Sequence, residues 1–465
     1  MNKNKRKIKK KNLTIFLLAS VIIFLVILFN QSGKNFDNGV SFDGVSEDYK
    51  CPDCNVIIIT IDALRPDHLG CYGYERNTSP NIDRLAEQGI LFKNAFSSAP
   101  FSGGSIGSLM TSLAPYHLYV CNCCKIGERI TLATRLRENY LITRAIVDNS
   151  HFAKGSGFER GFEEYIEGSN YFSNGSSITK IMLDRLQKDQ DKKFFYWIHY
   201  IDVHAPYLIQ KDECNELLSN INSVHIPILE TNKRYGGIPK YATINNITNF
   251  DYYICAYDKA IKYIDEQIGR LTKRLHELSL INRTVIIISA DHGESMGEHN
   301  IFFSHGFSLN DVELHVPLIV KNPKLITNNK IVNDQVRLMD IGPTILDILE
   351  IRINERLDGI SLVPFMLGKS NTNLSVISRV GDMISIRTDN WKYIYNPNGS
   401  EEIYNIKEDP TELNNLIDKK QEIAKNLRQK LFKLMTEARN DFLEPEKFEI
   451  DDKTKEKLRS LGYLQ

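Results

Sequence analysis

The run NVIIITID, residues 55–62, decides the fold. Its apolar residues are mostly β-branched, they do not alternate with polar ones, and an acid closes the run. That pattern suits a strand covered on both faces of a parallel sheet, whose C-terminal edge is where α/β proteins gather ligands. TVIIISADHGES, residues 284–295, repeats it and ends in Asp291 and His292. FFYWIHYIDVHAPY, residues 194–207, is a third such run and spills His199, Asp202 and His204 at its end. Phe195, Tyr196 and Trp197 are expected to fill the sheet face rather than meet a ligand. Between strands, SPNIDRLAEQG has a Ser cap, a Pro just inside and a Gly stop, which predicts a short helix. A longer helix is predicted over about 250–277, with Ile261, Ile264, Ile268, Leu271 and Leu275 on one face.

Strand ends of one open sheet converge in space even when far apart in sequence. Here they present Asp62, then His199, Asp202 and His204, then Asp291 and His292. SSAPFSGGSIGSLMTS, residues 97–112, adds Ser102, beside a turn expected at Gly103 and Gly104 and ahead of a helix. Two carboxylates and an imidazole suit a divalent cation, which lowers the pKa of a coordinated hydroxyl and clamps the oxygen of an anionic ester. Plainer readings stand beside this one. Ser105 competes with Ser102 if the turn is shifted, His68 and His117 read as turn or surface residues, and Glu294 and Glu298 read as helix-start acids with His299 packed on them.

The hydrophobic share of 42% and charged share of 25% describe a folded chain. Lys plus Arg and Asp plus Glu balance at 58 each, yet MNKNKRKIKKK holds seven of the basic residues, leaving 51 against 58 beyond it. The ordered part thus offers no broad basic surface, and nucleic acid is not an expected partner. LTIFLLASVIIFLVILF follows, seventeen residues without a charge, and at about 25 Å as a helix it reaches the low end of what spans a bilayer. With the basic flank inside, residues 1–12 read as a cytoplasmic segment, 13–30 as an uncleaved transmembrane signal-anchor and 31–52 as a Gly/Ser/Asn-rich stem. The domain beyond would lie outside the membrane, in the periplasm or extracellular space. There disulfides are permitted, and eight cysteines, including CPDC at 51–54 and CNCC at 121–124, fit either bridges or a structural zinc site.

Past residue 330 the texture changes. MDIGPTILDILEI predicts a helix after a corner, MISIRTDNWKYIYNPNGSEEIYNI an antiparallel pair turned at NPNG, and the segment from PTELNNL to KLMTEA a long amphipathic helix. The expected division is a main domain over 53–375 and a C-terminal subdomain over 376–465.

ITIDALRPDHLGCYGY, SPNIDRLAEQGILFKNAFSSAP, WIHYIDVHAPY and SADHGESMGEHNIFFSHGFSLNDVELHVPLIV resemble the ordered signature blocks of the sulfatases of the alkaline phosphatase superfamily. The likeness continues through MDIGPTILDILE, LDGISLVPFMLG, RTDNWKYIYNP and EEIYNIKEDPTELNNL to LRSLGYL, so it covers about residues 53–465. The resemblance implies an alkaline phosphatase-like, doubly wound mixed sheet with helices on both faces and a smaller C-terminal α+β subdomain. It also implies metal-assisted attack on a sulfate or phosphate ester of a glycan, lipid head group or small molecule. Carried over by position, Asp62, Ser102, Asp291 and His292 become the metal set, with Ser102 the nucleophile as well. His204 and His305 become substrate or leaving-group contacts, and His199 and Arg65 further active-site residues.

This sequence departs from the pattern in three places. Ser102-Gly-Gly-Ser-Ile lacks the Pro and Arg that mark a formylglycine site, so an unmodified serine is expected. Ala63 stands where a second Asp is usual, and His292 where calcium-type members often have Asn; the cofactor expected is one divalent ion, Mn or Zn favoured over Ca. Phe307 replaces a sulfate-contacting lysine. The leading expectation is an ester hydrolase. Its alternatives are a cell-envelope phosphotransferase and a sulfatase-like binding protein without turnover.

Overall fold

Strand β1 (Asn55–Ile61) pairs in parallel with two others at once, and every one of its residues is buried. Between it and the sequence edges lie β2 (Ile90–Phe96), β3 (Ile142–Val147), β4 (Glu164–Glu167), β5 (Phe194–Tyr200), β6 (Thr284–Ala290), the short β7 (Ser295–Met296) and β8 (Phe302–Ser304), β9 (His315–Lys321) and β10 (Lys330–Arg337). The main sheet runs β10-β2-β9-β6-β1-β5-β3-β4. It is parallel except at β9, which lies antiparallel to both neighbours, so the sheet is mixed as expected. A doubly covered strand gains nothing from polar alternation, which is why β1, β5 and β6 read as unbroken apolar runs.

The computed structural model describes residues 47–118, 126–168, 174–207, 214–219, 222–232, 235–325, 329–370, 372–438 and Glu456. The expected signal-anchor at 13–30, residues 31–46 of the stem, and Cys121, Cys123 and Cys124 lie outside the described residues. Among the described residues, no helix is long and apolar enough to cross a membrane.

The helices that flank the sheet include α1 (Pro80–Glu87), α2 (Ser102–Thr111), α3 (Leu132–Glu138), α4 (Gly175–Lys188) and α5 (Phe250–Glu277). The predicted cap of α1 is corrected: Ser79 makes no side-chain cap bond. Asp265 of α5 accepts from Asn81 N (2.9 Å) and Ile82 N (2.8 Å) instead, so a carboxylate from a neighbouring helix meets the exposed amides. Gly103 and Gly104 are not a turn before α2 but its first turn. A Cβ at Gly104 would fall 2.6 Å from that of Ala99, so glycine there serves close packing rather than a bend.

The C-terminal sheet is an antiparallel meander of β11 (Val376–Val380), β12 (Met383–Arg387), β13 (Trp391–Tyr395) and β14 (Glu401–Asn405), with the β13–β14 connection at the expected NPNG. One face packs Ile384, Ile386, Tyr393 and Ile403 against Leu427 and Leu431 of a helix over Gln421–Ala438. That helix starts later than the sequence suggests, because Pro410–Lys420 forms turns instead. The other face sets Val376, Ile394 and Tyr404 on Phe96, Leu309 and Leu314 of the main domain. Lys392 is fully buried between them, ion-paired to Asp311 (2.7 Å) and Glu412 (2.8 Å).

Candidate active site

Register alone brings the two sequence-predicted acids level. Ile61 pairs with Ala290 across β1 and β6, so Asp62 and Asp291 are the next residues of adjacent parallel strands. Thr60 pairs with His199 on the other side, and β3 beyond β5 ends just before Asn149. Four neighbouring strands thus deliver Asp291, Asp62, His199 and Asn149 to one edge. The N-terminus of α2 delivers Ser102.

These groups meet. Asn149 Nδ2 donates to Asp62 Oδ2 (2.6 Å) and Ser102 Oγ (3.0 Å). His199 Nε2 lies 3.4 Å from Asp62 Oδ2, while its Nδ1 bonds Thr60 Oγ1 at 2.8 Å. His292 Nδ1 donates to the Gly293 carbonyl (2.9 Å), which turns Nε2 inward. There it sits 3.4 Å from Ser102 Oγ, 3.5 Å from Asp291 Oδ2 and 3.6 Å from Asp62 Oδ1. Ligand atoms bound at about 2.1 Å around one tetrahedral ion are separated by about 3.4 Å.

Asp62 Oδ1 and Asp291 Oδ2 are buried without a hydrogen-bond partner among the described residues, and burying carboxylate oxygens unpaired is costly. Each is the oxygen facing His292. Asp62, His199 and Asp291 also offer one ligand atom apiece within 4.8 Å of one another. The donor set therefore fits a divalent cation. Burial alone would raise the Asp62 pKa, but His204, His199 and His292 outweigh it and hold the group ionised well below the usual range. Asp291 is shifted upward by burial and then by the Asp62 charge beside it.

Ser105, the competing nucleophile, donates its hydroxyl to the Asp291 carbonyl (2.5 Å) and so buttresses the strand end. Ser102 is the hydroxyl that faces the site, 3.0 Å from Asn149 Nδ2 and 3.4 Å from His292 Nε2. The His305 ring stacks near His292 (4.1 Å between centroids) and lies edge-on to His204 (4.8 Å). Burial lowers the pKa of both His204 and His305, against the pull of the Asp62 charge. Arg65 is engaged by Asp67 (2.7 Å) and Glu298 (2.7 Å). Its guanidinium thus faces two carboxylates next to the site. Asp202 stands apart, accepting from Gly175 N (2.9 Å) at the start of α4, with its other oxygen unbonded among the described residues.

Several plainer readings are corrected. Glu294 is no helix-start acid: it is fully buried, accepts from the Tyr207 hydroxyl and His305 Nδ1, and burial pushes its pKa up to about 8. Glu298 does open a helix, the 3₁₀ turn Glu298–Asn300, and its carboxylate accepts from Met296 N (2.6 Å) while it also pairs with Arg65. His68 and His117 are buried and bonded to Asp258 (2.8 Å) and Asp358 (2.5 Å). Cys51–Cys54 and Cys214–Cys255 are disulfides, which removes the CPDC thiolates from any zinc site, and Cys71 is a free thiol.

Asn149 and His151 escaped the sequence reading. Burial lowers the His151 pKa to about 3 against the pull of Asp62. The signal was DNSH at the end of a strand whose ITRAIV pattern is less apolar than its neighbours. Glu313 escaped too; it accepts from Ser295, Gly306 N and Ser308 and so holds the segment carrying His305.

The sulfatase family model matches residues 54–351, and the model for the C-terminal part of N-sulphoglucosamine sulphohydrolase matches residues 297–440. Human arylsulfatase K is 32% identical over 209 residues, 41% of this chain and 37% of that protein, so the chain spans under half of this relative. The choline-sulfatase of Rhizobium meliloti is 23% identical over 433 residues, covering 78% of this chain and 82% of its own. Among solved structures, a phosphonate monoester hydrolase of Agrobacterium radiobacter superposes with a TM-score of 0.67 at 18% identity, over 86% of this chain and 98% of that one. A protein solved with its substrate D-glucosamine-2-N,6-O-disulfate gives 0.69 at 20% identity, over 84% and 98%.

Proposed function

The chain belongs to the sulfatase family, and from that premise we propose a metal-dependent hydrolase of sulfate or phosphate esters in which the unmodified Ser102 hydroxyl is the nucleophile. The observation that carries this reading is the contact of Ser102 with Asn149 (3.0 Å) and His292 (3.4 Å), each of which also reaches Asp62. Asp62, Asp291, His292 and Ser102, with His199 alongside, would hold a divalent cation, which would supply Lewis-acid stabilisation of the ester oxygens and acidify the hydroxyl. Mn or Zn suits two carboxylates and imidazole better than Ca does.

Ser102 Oγ forms a bond to phosphorus or sulfur as the bond to the leaving oxygen breaks, and its hydroxyl proton passes to solvent water. His204 and His305 each take up a proton as the anionic ester binds; His204 then holds the nonbridging oxygens, and His305, oriented by Glu294, gives its proton to the departing alcohol oxygen. Water then displaces Ser102. An ordinary serine favours phosphoryl over sulfuryl turnover, because a sulfated serine lacks the ready breakdown open to a formylglycine diol. Transfer to a second alcohol in the cell envelope is the variant of the same chemistry. A phosphonate monoester hydrolase among the structural neighbours supports testing phosphorus esters first.

The two disulfides, with the basic and apolar leader of the sequence, support action outside the cytoplasmic membrane from a single-pass tether. The deciding experiment assays nitrophenyl sulfate, phosphate, phosphodiester and phosphonate with Mn, Zn and Ca. Cleavage that needs added metal and is lost in Ser102→Ala supports the reading. Full activity of Ser102→Ala, or an aldehyde at position 102 by mass spectrometry, overturns it.

A further inference from the structure

The turn that carries Asp62 is closed by a phenol from another element. Ala63 is fully buried with φ 55°, in the left-handed region that a side chain disfavours. In that conformation its N–H donates to Asp291 Oδ1 (3.1 Å), and its carbonyl accepts from the Tyr257 hydroxyl (2.7 Å). The same phenol oxygen accepts the N–H of Arg65 (2.8 Å). One hydroxyl of α5 therefore satisfies both ends of the segment Ala63–Arg65.

Tyr257 is itself fully buried and wedged. It lies edge-on to His68 (4.9 Å) and Tyr207 (5.3 Å), and His68 is held by Asp258, the next residue of α5. The effect reaches the ligand atoms through one bond. The Ala63 N–H and the His292 N–H (2.9 Å) both occupy Asp291 Oδ1, which leaves Oδ2 as the oxygen turned toward His292 Nε2.

We propose that Tyr257 is a positioning residue for the cation site: its hydroxyl locks Ala63 in the left-handed conformation that aligns the Asp62 and Asp291 carboxylates. This rests on the reading of those two acids as cation ligands. Without the hydroxyl, the Ala63 carbonyl and the Arg65 N–H lose their shared partner, and Ala63 relaxes toward negative φ, swinging its N–H away from Asp291.

The test titrates the chelator-stripped full chain with Mn²⁺ by calorimetry and records its melting temperature without metal. Removing groups that orient ligands costs about ten- to a hundredfold in metal affinity, and that is the loss expected for Tyr257→Phe. Ala63→Gly in the same background removes the Cβ that opposes positive φ and is expected to recover at least about half of the loss on a logarithmic scale. A Tyr257→Phe affinity within about twofold of the parent overturns the inference, as does a fall in melting temperature with a loss of affinity that Ala63→Gly does not recover. Asp291→Asn separates the two levels. If it abolishes binding while Tyr257→Phe does not weaken it, the cation site stands and the inference falls; if it binds Mn²⁺ like the parent, both fall.

Discussion

His292 Nε2 lies 3.4 Å from the Ser102 hydroxyl, although 190 residues separate them in the chain. One stands just past the C-terminal end of β6 and the other opens α2. Their meeting turns two ordinary residues into a candidate ligand and nucleophile.

Replacing Ser102 with Ala should lower kcat by at least about a thousandfold, because the covalent route is removed. Ser105→Ala, which loses only a bond to the Asp291 carbonyl, should cost less than about tenfold. Steady-state kinetics on the preferred nitrophenyl ester decides this, and equal losses would leave Ser102 without its special role.

Burial lowers the pKa of His204 and His305 in the free protein. An anion placed among them favours the charged imidazolium and raises it again. Binding should therefore take up protons, and the affinity for inorganic phosphate or sulfate should rise as pH falls, by up to about tenfold per pH unit for each proton taken up. Calorimetry in buffers of different ionisation enthalpy reads the proton count directly. A count of zero removes both histidines from the anion site.

Asp265 supplies the cap that α1 lacks locally, accepting two backbone amides and the Asn81 side chain. Asp265→Ala should destabilise the protein by about 2 kcal/mol. Ser79→Ala, which removes no cap bond to the α1 backbone, should cost less. Chemical denaturation of the two variants compares them.

Among the described residues Asp202 has one bonded and one unbonded oxygen, and burial pushes its pKa up to about 6. Its folded-state pKa exceeds the unfolded one, so the folded form binds more protons and stability falls as pH rises from about 4 to about 6. Asp202→Asn keeps the bond from Gly175 without the charge. Its melting temperature should gain on the parent across that window and hold the gain above it, and a difference independent of pH would refute the assignment.

Much of the fold was legible because burial writes itself into sequence. The unbroken apolar runs of β1, β5 and β6 are what a doubly covered parallel strand requires, and the acids that follow them had to emerge at its C-terminal edge. Asp62, Asp291 and His292 were named on that ground, and their convergence follows from the register that sets Ile61 beside Ala290, whereas Ser102 was named from its glycine-flanked run and the family resemblance.

The tertiary structure alone decided which partners each polar group would find. Local pattern assigned Ser79 to a cap and Glu294 to a helix start, yet Asp265 and Tyr207 arrive from about 90 to 190 residues away to set those roles. Asn149 and the Tyr257 hydroxyl carry no periodic signal at all. A strand's burial is a property of its own residues, whereas a hydrogen bond belongs to two positions that only the folded chain brings together.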